Sequence, residues 1–180
     1  MKFSIIVPFY NTNIQCFRRM IDSLRRQTHD IFEVIVVDDG SRKEFKELID
    51  KFDYKDLNVK IVHQENKGLP GARNAGIKVS QGDYLVFVDS DDMLPEQMLY
   101  EANHYIDEYN NPDVIYGRMV YYKETDKKVI KITENNCDAV DFDGYRMSMK
   151  QTSDKPVYFS GAEMERVKLK ILHQDDEAIV

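Results

Sequence analysis

Two short runs in this chain, Phe32-Glu33-Val34-Ile35-Val36-Val37 and Tyr84-Leu85-Val86-Phe87-Val88, are almost wholly apolar and rich in branched or aromatic side chains. A strand of that kind has no face to give to water, so it belongs in a parallel sheet covered on both sides. Phe3-Ser4-Ile5-Ile6-Val7 and Val59-Lys60-Ile61-Val62 read as strands too, and a longer segment of helical periodicity follows each of the four. The first helix carries Ile14, Phe17, Ile21 and Leu24, capped by Asn11 or Thr12, with Arg18, Arg19, Arg25 and Arg26 on its solvated surface. A second, from Lys43 to Phe52, turns Phe45, Leu48, Ile49 and Phe52 to one side. A third runs from Pro70 to Val79, and a fourth starts at Pro95, both prolines suiting a first helical turn. The fourth directs Met98, Leu99, Ala102, Tyr105, Ile106 and Tyr109 inward and ends near Asn110-Asn111-Pro112. This alternation predicts an α/β fold, a mostly parallel sheet flanked by helices.

From Val114 the texture changes to Val114-Ile115-Tyr116 and Met119-Val120-Tyr121-Tyr122, then Lys128 to Ile132 across a Glu124-Thr125-Asp126 turn, which predicts a small antiparallel region. Past Thr133 periodicity is weak, and only Gly161 to Leu172 reads as a helix. With 180 residues, 42% of them hydrophobic, the expectation is one domain with a core over 1–132 and an irregular, incomplete remainder over 133–180.

Charge and apolar length exclude several classes. Lys and Arg number 25 against 32 Asp and Glu, a net charge of -7, so there is no basic footprint for nucleic acid. No apolar stretch approaches the roughly 20 residues of a membrane span, and the strand pattern begins too early to leave room for a signal peptide. A cytoplasmic chain is expected. Cys16 and Cys137 form no CxxC and read as free, partly buried thiols. His29, His63, His104 and His173 lack zinc spacing and read as surface or satisfied residues.

In open α/β sheets ligands gather beyond the carboxyl ends of the strands. There the chain places Pro8-Phe9-Tyr10-Asn11 after the first strand, Asp38-Asp39-Gly40-Ser41 after the second and Asp89-Ser90-Asp91-Asp92 after the fourth. Asp38 and Asp39 either face a ligand or form a turn that caps the next helix. Three carboxylates within Asp89–Asp92 repel one another unless a cation joins them, which favours a site for Mg²⁺ or Mn²⁺ over a capping loop. Such an ion needs further oxygen donors, and a diphosphate supplies them. The stretch Asn66-Lys67-Gly68-Leu69-Pro70-Gly71-Ala72-Arg73-Asn74-Ala75-Gly76 combines glycines, two cations and a helix start, which suit an anion. The same residues are also compatible with a simple turn whose Lys67 and Arg73 are solvated. Neither G-x-G-x-x-G nor G-x-x-x-x-G-K-[ST] follows the first strand, and no G-x-S-x-G occurs, so dinucleotide, P-loop and nucleophile-elbow chemistry are all disfavoured.

Taken in order, Ile5 to Asn11, Val36 to Ser41, Asn66 to Gly76 and Gly82-Asp83-Tyr84 through Asp92 resemble the signature of glycosyltransferase family 2, over about two thirds of the chain. That resemblance implies a GT-A fold with a nucleotide-sugar-binding core, and inverting transfer of a sugar from a nucleoside diphosphate donor to a hydroxyl. It further implies a hexosyl- or N-acetylhexosaminyltransferase acting on a saccharide or lipid-linked acceptor in surface polysaccharide synthesis. A lipid-linked acceptor would bring the chain to the inner face of the membrane. Carried over position by position, Pro8 and Tyr10 would line the base and ribose pocket, Asp39 would hydrogen-bond the base, and Arg73 and Ser90 would lie beside the nucleotide. Asp89 and Asp91 match the D-x-D motif, Asp91 as direct ligand of a divalent metal (Mn²⁺ or Mg²⁺) and Asp89 at the ribose or behind the metal.

An ionised Asp39 only accepts, so it can receive the N3–H of uracil or thymine but meets a lone pair at N3 of cytosine and N1 of adenine. Donors of the UDP type are therefore favoured, with GDP disfavoured only sterically. Inversion also needs a base for the acceptor's proton. The resemblance points to Gln174-Asp175-Asp176-Glu177-Ala178, with Asp176 as that base, while a charge run of this kind is equally an acidic solvated tail. Between Lys155 and Asp175 the chain is shorter than the family's acceptor region and it stops at Val180, so a truncated, inactive form that still binds donor is also expected. Two alternatives are a non-catalytic nucleotide-sugar-binding module and a sugar-phosphate nucleotidyltransferase. The latter should carry a Gly-rich basic loop where Pro8-Phe9-Tyr10-Asn11 stands.

Overall fold

The computed structural model describes residues 2–116 together with the strands at 120–123, 128–132 and 138–140. β1 (Phe3–Phe9), α1 (Ile14–Arg25), β2 (Phe32–Asp39), α2 (Lys43–Asp50), β3 (Val59–Gln64), α3 (Gly68–Val79), β4 (Tyr84–Phe87) and α4 (Met98–Glu108) alternate along the chain. The strands form one parallel sheet in the order β3-β2-β1-β4. The chain thus winds outward from β1 to β3, and α3 then carries it back to the far side of β1. Strand order reverses at β1, the position where such sheets bind ligands.

Side chains alternate across the pleat and divide the core in two. Phe3, Ile5, Val7 and Phe9 of β1 join Val34 and Val36 of β2 and Tyr84 and Val86 of β4 on one face, beneath α1, α2 and α4. Ile6, Ile35, Val37, Leu85 and Phe87 form the other face with Ala72 of α3. Both faces are covered, which is why β1 and β2 are buried over nearly their whole length. Burying each such aliphatic side chain contributes about 1.5–3 kcal/mol. Helix α3 sits close because Gly76 has no side chain, since a Cβ there would stand 2.5 Å from Cγ2 of Ile6.

Several boundaries differ from the hydrophobic pattern. β2 continues through Asp38 and Asp39 and β3 through His63 and Gln64, because the ladder still pairs Asp38 with His63 and Asp39 with Gln64. The cap of α1 is Asn13, whose side chain accepts the Gln15 N–H at 2.8 Å, rather than Asn11 or Thr12. Pro95 opens a tight turn, with Met98 N–H bonded to its carbonyl at 3.0 Å, and α4 starts only at Met98. Tyr109 follows the end of that helix and is exposed rather than inward. The antiparallel expectation is met. β5 (Val114–Tyr116) pairs with β8 (Asp138–Val140), and β6 (Val120–Lys123) pairs with β7 (Lys128–Ile132). The helix expected over Gly161–Leu172 lies outside the described residues, as does Cys137, while Cys16 is a free thiol.

One buried polar cluster at the amino end of the sheet is invisible to periodicity. The Ser4 hydroxyl donates to Glu33 Oε1 at 2.7 Å, the Gln81 N–H reaches the same oxygen at 2.7 Å, and the Gly82 N–H bonds the Ser4 hydroxyl oxygen at 2.7 Å. These bonds satisfy a carboxylate that is only 6% exposed and seat the entry to β4 beside β1. None of the described helices is long and apolar enough to cross a membrane.

Candidate functional site

A proline inside the central strand prepares the site. The carbonyl of Ile6 accepts the Val88 N–H at 3.0 Å, and bonding to a given neighbour recurs every second residue, so Pro8 faces the β4 side as well. β4 ends at Phe87, so Pro8 has no ladder to donate to and its missing N–H costs little there. The sheet opens between β1 and β4 beyond this point. Pro8 is thus a buried part of the strand, while Tyr10 just after it is 55% exposed.

Across this opening the strand ends are tied to one another. Thr12 Oγ1 and Ser90 Oγ share a hydrogen bond of 2.6 Å, joining the segments after β1 and β4. Asn11, held at a positive φ of 50°, accepts the Arg42 N–H at 2.9 Å, and its own N–H reaches the Ser41 hydroxyl at 3.0 Å. Asparagine tolerates that left-handed backbone better than most residues.

Asp38 and Asp39 lie on opposite faces of β2, and each has a cross-strand partner. Asp38 Oδ1 accepts the Ser41 N–H at 3.0 Å, and its Oδ2 lies 2.9 Å from Nδ1 of His63, whose Nε2 lies 2.9 Å from Oδ1 of Asp50. Burial raises the Asp38 pKa, but the bonds from Ser41 and His63 and the charge of the imidazole outweigh it and leave the carboxyl below its ordinary value. Asp39 is 4% exposed, and its Oδ1 receives both the Gln64 amide at 2.6 Å and the Lys67 N–H at 2.8 Å. Neither aspartate caps α2, whose N-cap is Arg42 without a side-chain bond. The turn that follows is tight, since a Cβ on Gly40, at φ +75°, would stand 2.6 Å from the Asn66 nitrogen.

The anion-suited loop also resolves. Lys67 is the exposed N-cap of α3, and Arg73 is buried rather than solvated, at 2% exposure. Its guanidinium lies 5.7 Å from the centre of the Phe87 ring and pairs with Asp89 through Nη2 to Oδ1 at 3.3 Å. At the end of β4, Asp89 is partly exposed, Ser90 is buried, and Asp91 and Asp92 are exposed. The Asp92 N–H closes a turn onto the Asp89 carbonyl at 3.0 Å, and the next helix begins only after the N-cap Gln97, so these aspartates do not cap it.

Among the described residues, no three His, Cys, Asp or Glu side chains converge to hold a metal. With one Asp89 oxygen engaged by Arg73, the donor set fits a hard divalent ion held by one or two carboxylates, Asp91 first, and completed by phosphate oxygens. Asp176 lies outside the described residues. Of the residues singled out in the sequence, Pro8 and Tyr10 stand at the end of β1, Asp39 at the end of β2, and Asp89, Ser90 and Asp91 just after β4, with Arg73 of α3 joined to Asp89. Sequence reasoning passed over Gln64 and read His63 only as surface or satisfied, because their significance comes from the pairing of β3 with β2.

The family described as Glycosyl transferase family 2 matches residues 4–170. Among curated relatives, "Glycosyltransferase GlyG" of Streptococcus pneumoniae is 38% identical over 127 residues, 68% of this chain and 40% of that protein. The Staphylococcus aureus "Poly(ribitol-phosphate) beta-N-acetylglucosaminyltransferase TarS" is 39% identical over 123 residues, 66% of this chain and 21% of the relative. The crystal structure of S. aureus TarS 1–349 in complex with UDP-GlcNAc superposes with a TM-score of 0.57 at 34% identity, covering 64% of this chain and 34% of that one. A UDP complex of the same TarS 1–349 gives the same TM-score, 0.57, at 35% identity. The chain therefore spans well under half the length of these relatives.

Proposed function

This chain belongs to glycosyl transferase family 2, and from that premise we propose that it holds a UDP-type sugar donor for inverting transfer to a hydroxyl. The observation that carries the proposal is that the β1–β4 ladder stops at Ile6 and Phe87, with a buried Asp39 carboxylate at the end of β2 and the Arg73–Asp89 pair, followed by Asp91, after β4. The likeness to TarS, whose crystal complexes contain UDP and UDP-GlcNAc, supports the same donor class.

In this reading Asp39 accepts the N3–H of uracil, with its carboxylate held by Gln64 and Lys67 before the ligand arrives. Tyr10, exposed after β1, covers the base and ribose, and Pro8 keeps the sheet open beneath them. Arg73 fixes Asp89 at the ribose side, and Ser90 is steadied by Thr12. Asp91, with Asp89 behind it, would hold a divalent ion against the diphosphate. When bound, that ion supplies neutralisation of the negative charge that grows on the diphosphate as the glycosidic bond breaks. We assign residues 1–132 to the donor core and 133–180 to the start of the acceptor side, with Asp176 taking the acceptor's proton. The acceptor is a saccharide or lipid-linked saccharide of surface polysaccharide synthesis.

Calorimetric titration of UDP, GDP and CDP, with and without Mn²⁺, tests the donor site. Saturable binding that prefers UDP and tightens with Mn²⁺ is expected. Absence of binding by any nucleotide, or a preference for CDP, would overturn the donor assignment.

A further inference from the structure

The Asp39 carboxylate is held asymmetrically. Both of its protein hydrogen bonds fall on Oδ1, from Gln64 Nε2 at 2.6 Å and from the Lys67 N–H at 2.8 Å. Among the described residues, Oδ2 receives none. The orientation of the Gln64 amide is settled by chemistry, because a carboxylate offers only acceptors and the NH₂ group must face it. Gln64 ends β3 directly opposite Asp39 in the ladder, so its backbone is fixed by the pairing of β3 with β2. The loop that brings Lys67 is pressed against the end of β2, where only a glycine fits at position 40.

We propose that Gln64 is a specificity-determining positioning residue, which together with the Lys67 N–H occupies Oδ1 of Asp39 and keeps Oδ2 as a fixed, acceptor-only edge for a pyrimidine that carries an N3–H. This rests on the reading of Asp39 as the base contact and adds to it the group that aims the carboxylate. A single backbone donor leaves a carboxylate free to turn about its Cβ–Cγ bond, whereas two donors on one oxygen set both its rotation and the direction of the remaining lone pairs. Uracil depends on that direction, because its N3–H must meet a lone pair head on. Cytosine presents a lone pair at the same place and gains nothing from an aligned acceptor. Loss of the Gln64 donor therefore weakens UDP selectively instead of weakening all nucleotides together. A residue with a merely structural role would lower UDP and CDP binding in parallel.

The test is calorimetric titration of UDP and CDP, in Mn²⁺, into wild type and Gln64→Met, which keeps the length of the side chain and removes the donor. UDP is expected to bind about tenfold more weakly to the variant, with CDP unchanged within about twofold, as loss of one well-aligned charged hydrogen bond implies. Gln64→Glu places acceptor against acceptor and is expected to reduce the UDP-to-CDP ratio at least as far, so it serves if Gln64→Met does not keep the wild-type melting midpoint. An unchanged ratio in either folded variant, or equal weakening of both nucleotides, overturns the role of Gln64 and leaves Asp39 as the base contact. Wild type that fails to prefer UDP over CDP overturns the base site itself, and the Gln64 proposal with it.

Discussion

The end of β2 and the end of β4 both carry acidic residues, yet they are built in opposite ways. At β2 the carboxylates of Asp38 and Asp39 are 2% and 4% exposed, and each is held by partners from β3 and the turns beside it. At β4 Asp89 is partly exposed and tied to Arg73, while Asp91 and Asp92 are exposed. A buried carboxylate must be satisfied by the protein in advance, or its desolvation would not be offset. An exposed one remains hydrated until a ligand arrives, and can therefore be spent on a group that comes and goes. The first arrangement suits recognition of a fixed shape such as a base, and the second suits a cation that is shared with a diphosphate.

This contrast can be broken most directly at Asp39. Asp39→Asn should weaken UDP binding by about 10–100-fold, the value of a hydrogen bond to a charged group; titration showing UDP affinity within twofold of wild type would remove Asp39 from the base site. Arg73→Met comes next, since it leaves Asp89 without its cation and empties a buried guanidinium site. Asp89 is 34% exposed and partly solvated, so a loss of about 2 kcal/mol is expected, less than for a fully buried pair. Chemical denaturation measures it, and a loss no greater than that of a typical surface substitution would mean that the pair does not order the β4 end. Asp91→Asn should leave stability within about 0.5 kcal/mol of wild type, as for other exposed positions, while abolishing the strengthening of UDP binding by Mn²⁺. Retention of that strengthening would transfer the metal to other ligands.

The smallest effect concerns acid. Asp38 has a folded pKa below its ordinary 3.8, so its contribution to stability is fully present above 3.8 and is lost as pH falls through the lowered folded value. Asp38→Asn lacks this contribution, and urea midpoints followed from about pH 6 to about pH 2 should fall less steeply in the variant below 3.8. Parallel curves would show that the Ser41 and His63 bonds do not favour the ionised form.

Much of this is legible in the amino-acid sequence alone, for a definite reason. The apolar runs at Ile5–Val7, Val34–Val37 and Tyr84–Val88 carry their strand character locally, and the polar motifs that follow them needed only the rule that ligands sit at strand ends. Errors arose where local character and long-range pairing disagree. Asp38 and Asp39 are poor strand residues in isolation, yet they remain in β2 because His63, Gln64 and Lys67 complete them. Tyr109 fits the apolar stripe of α4 by spacing, but the helix ends one residue earlier and the ring turns out to solvent.

The amino-acid sequence by itself determined the alternation of strands and helices, the two-sided burial of the sheet and the family, since hydrophobic period and motif order are properties of neighbouring residues. Only the tertiary structure decided that β1 lies between β2 and β4, that Arg73 is buried against Asp89, that Glu33 is satisfied by Ser4 and Gln81, and that Gln64 donates to Asp39. Each of those facts joins residues between 16 and 81 positions apart, and contact across such distances depends on which strands become neighbours, a choice made by packing the whole sheet between its helices.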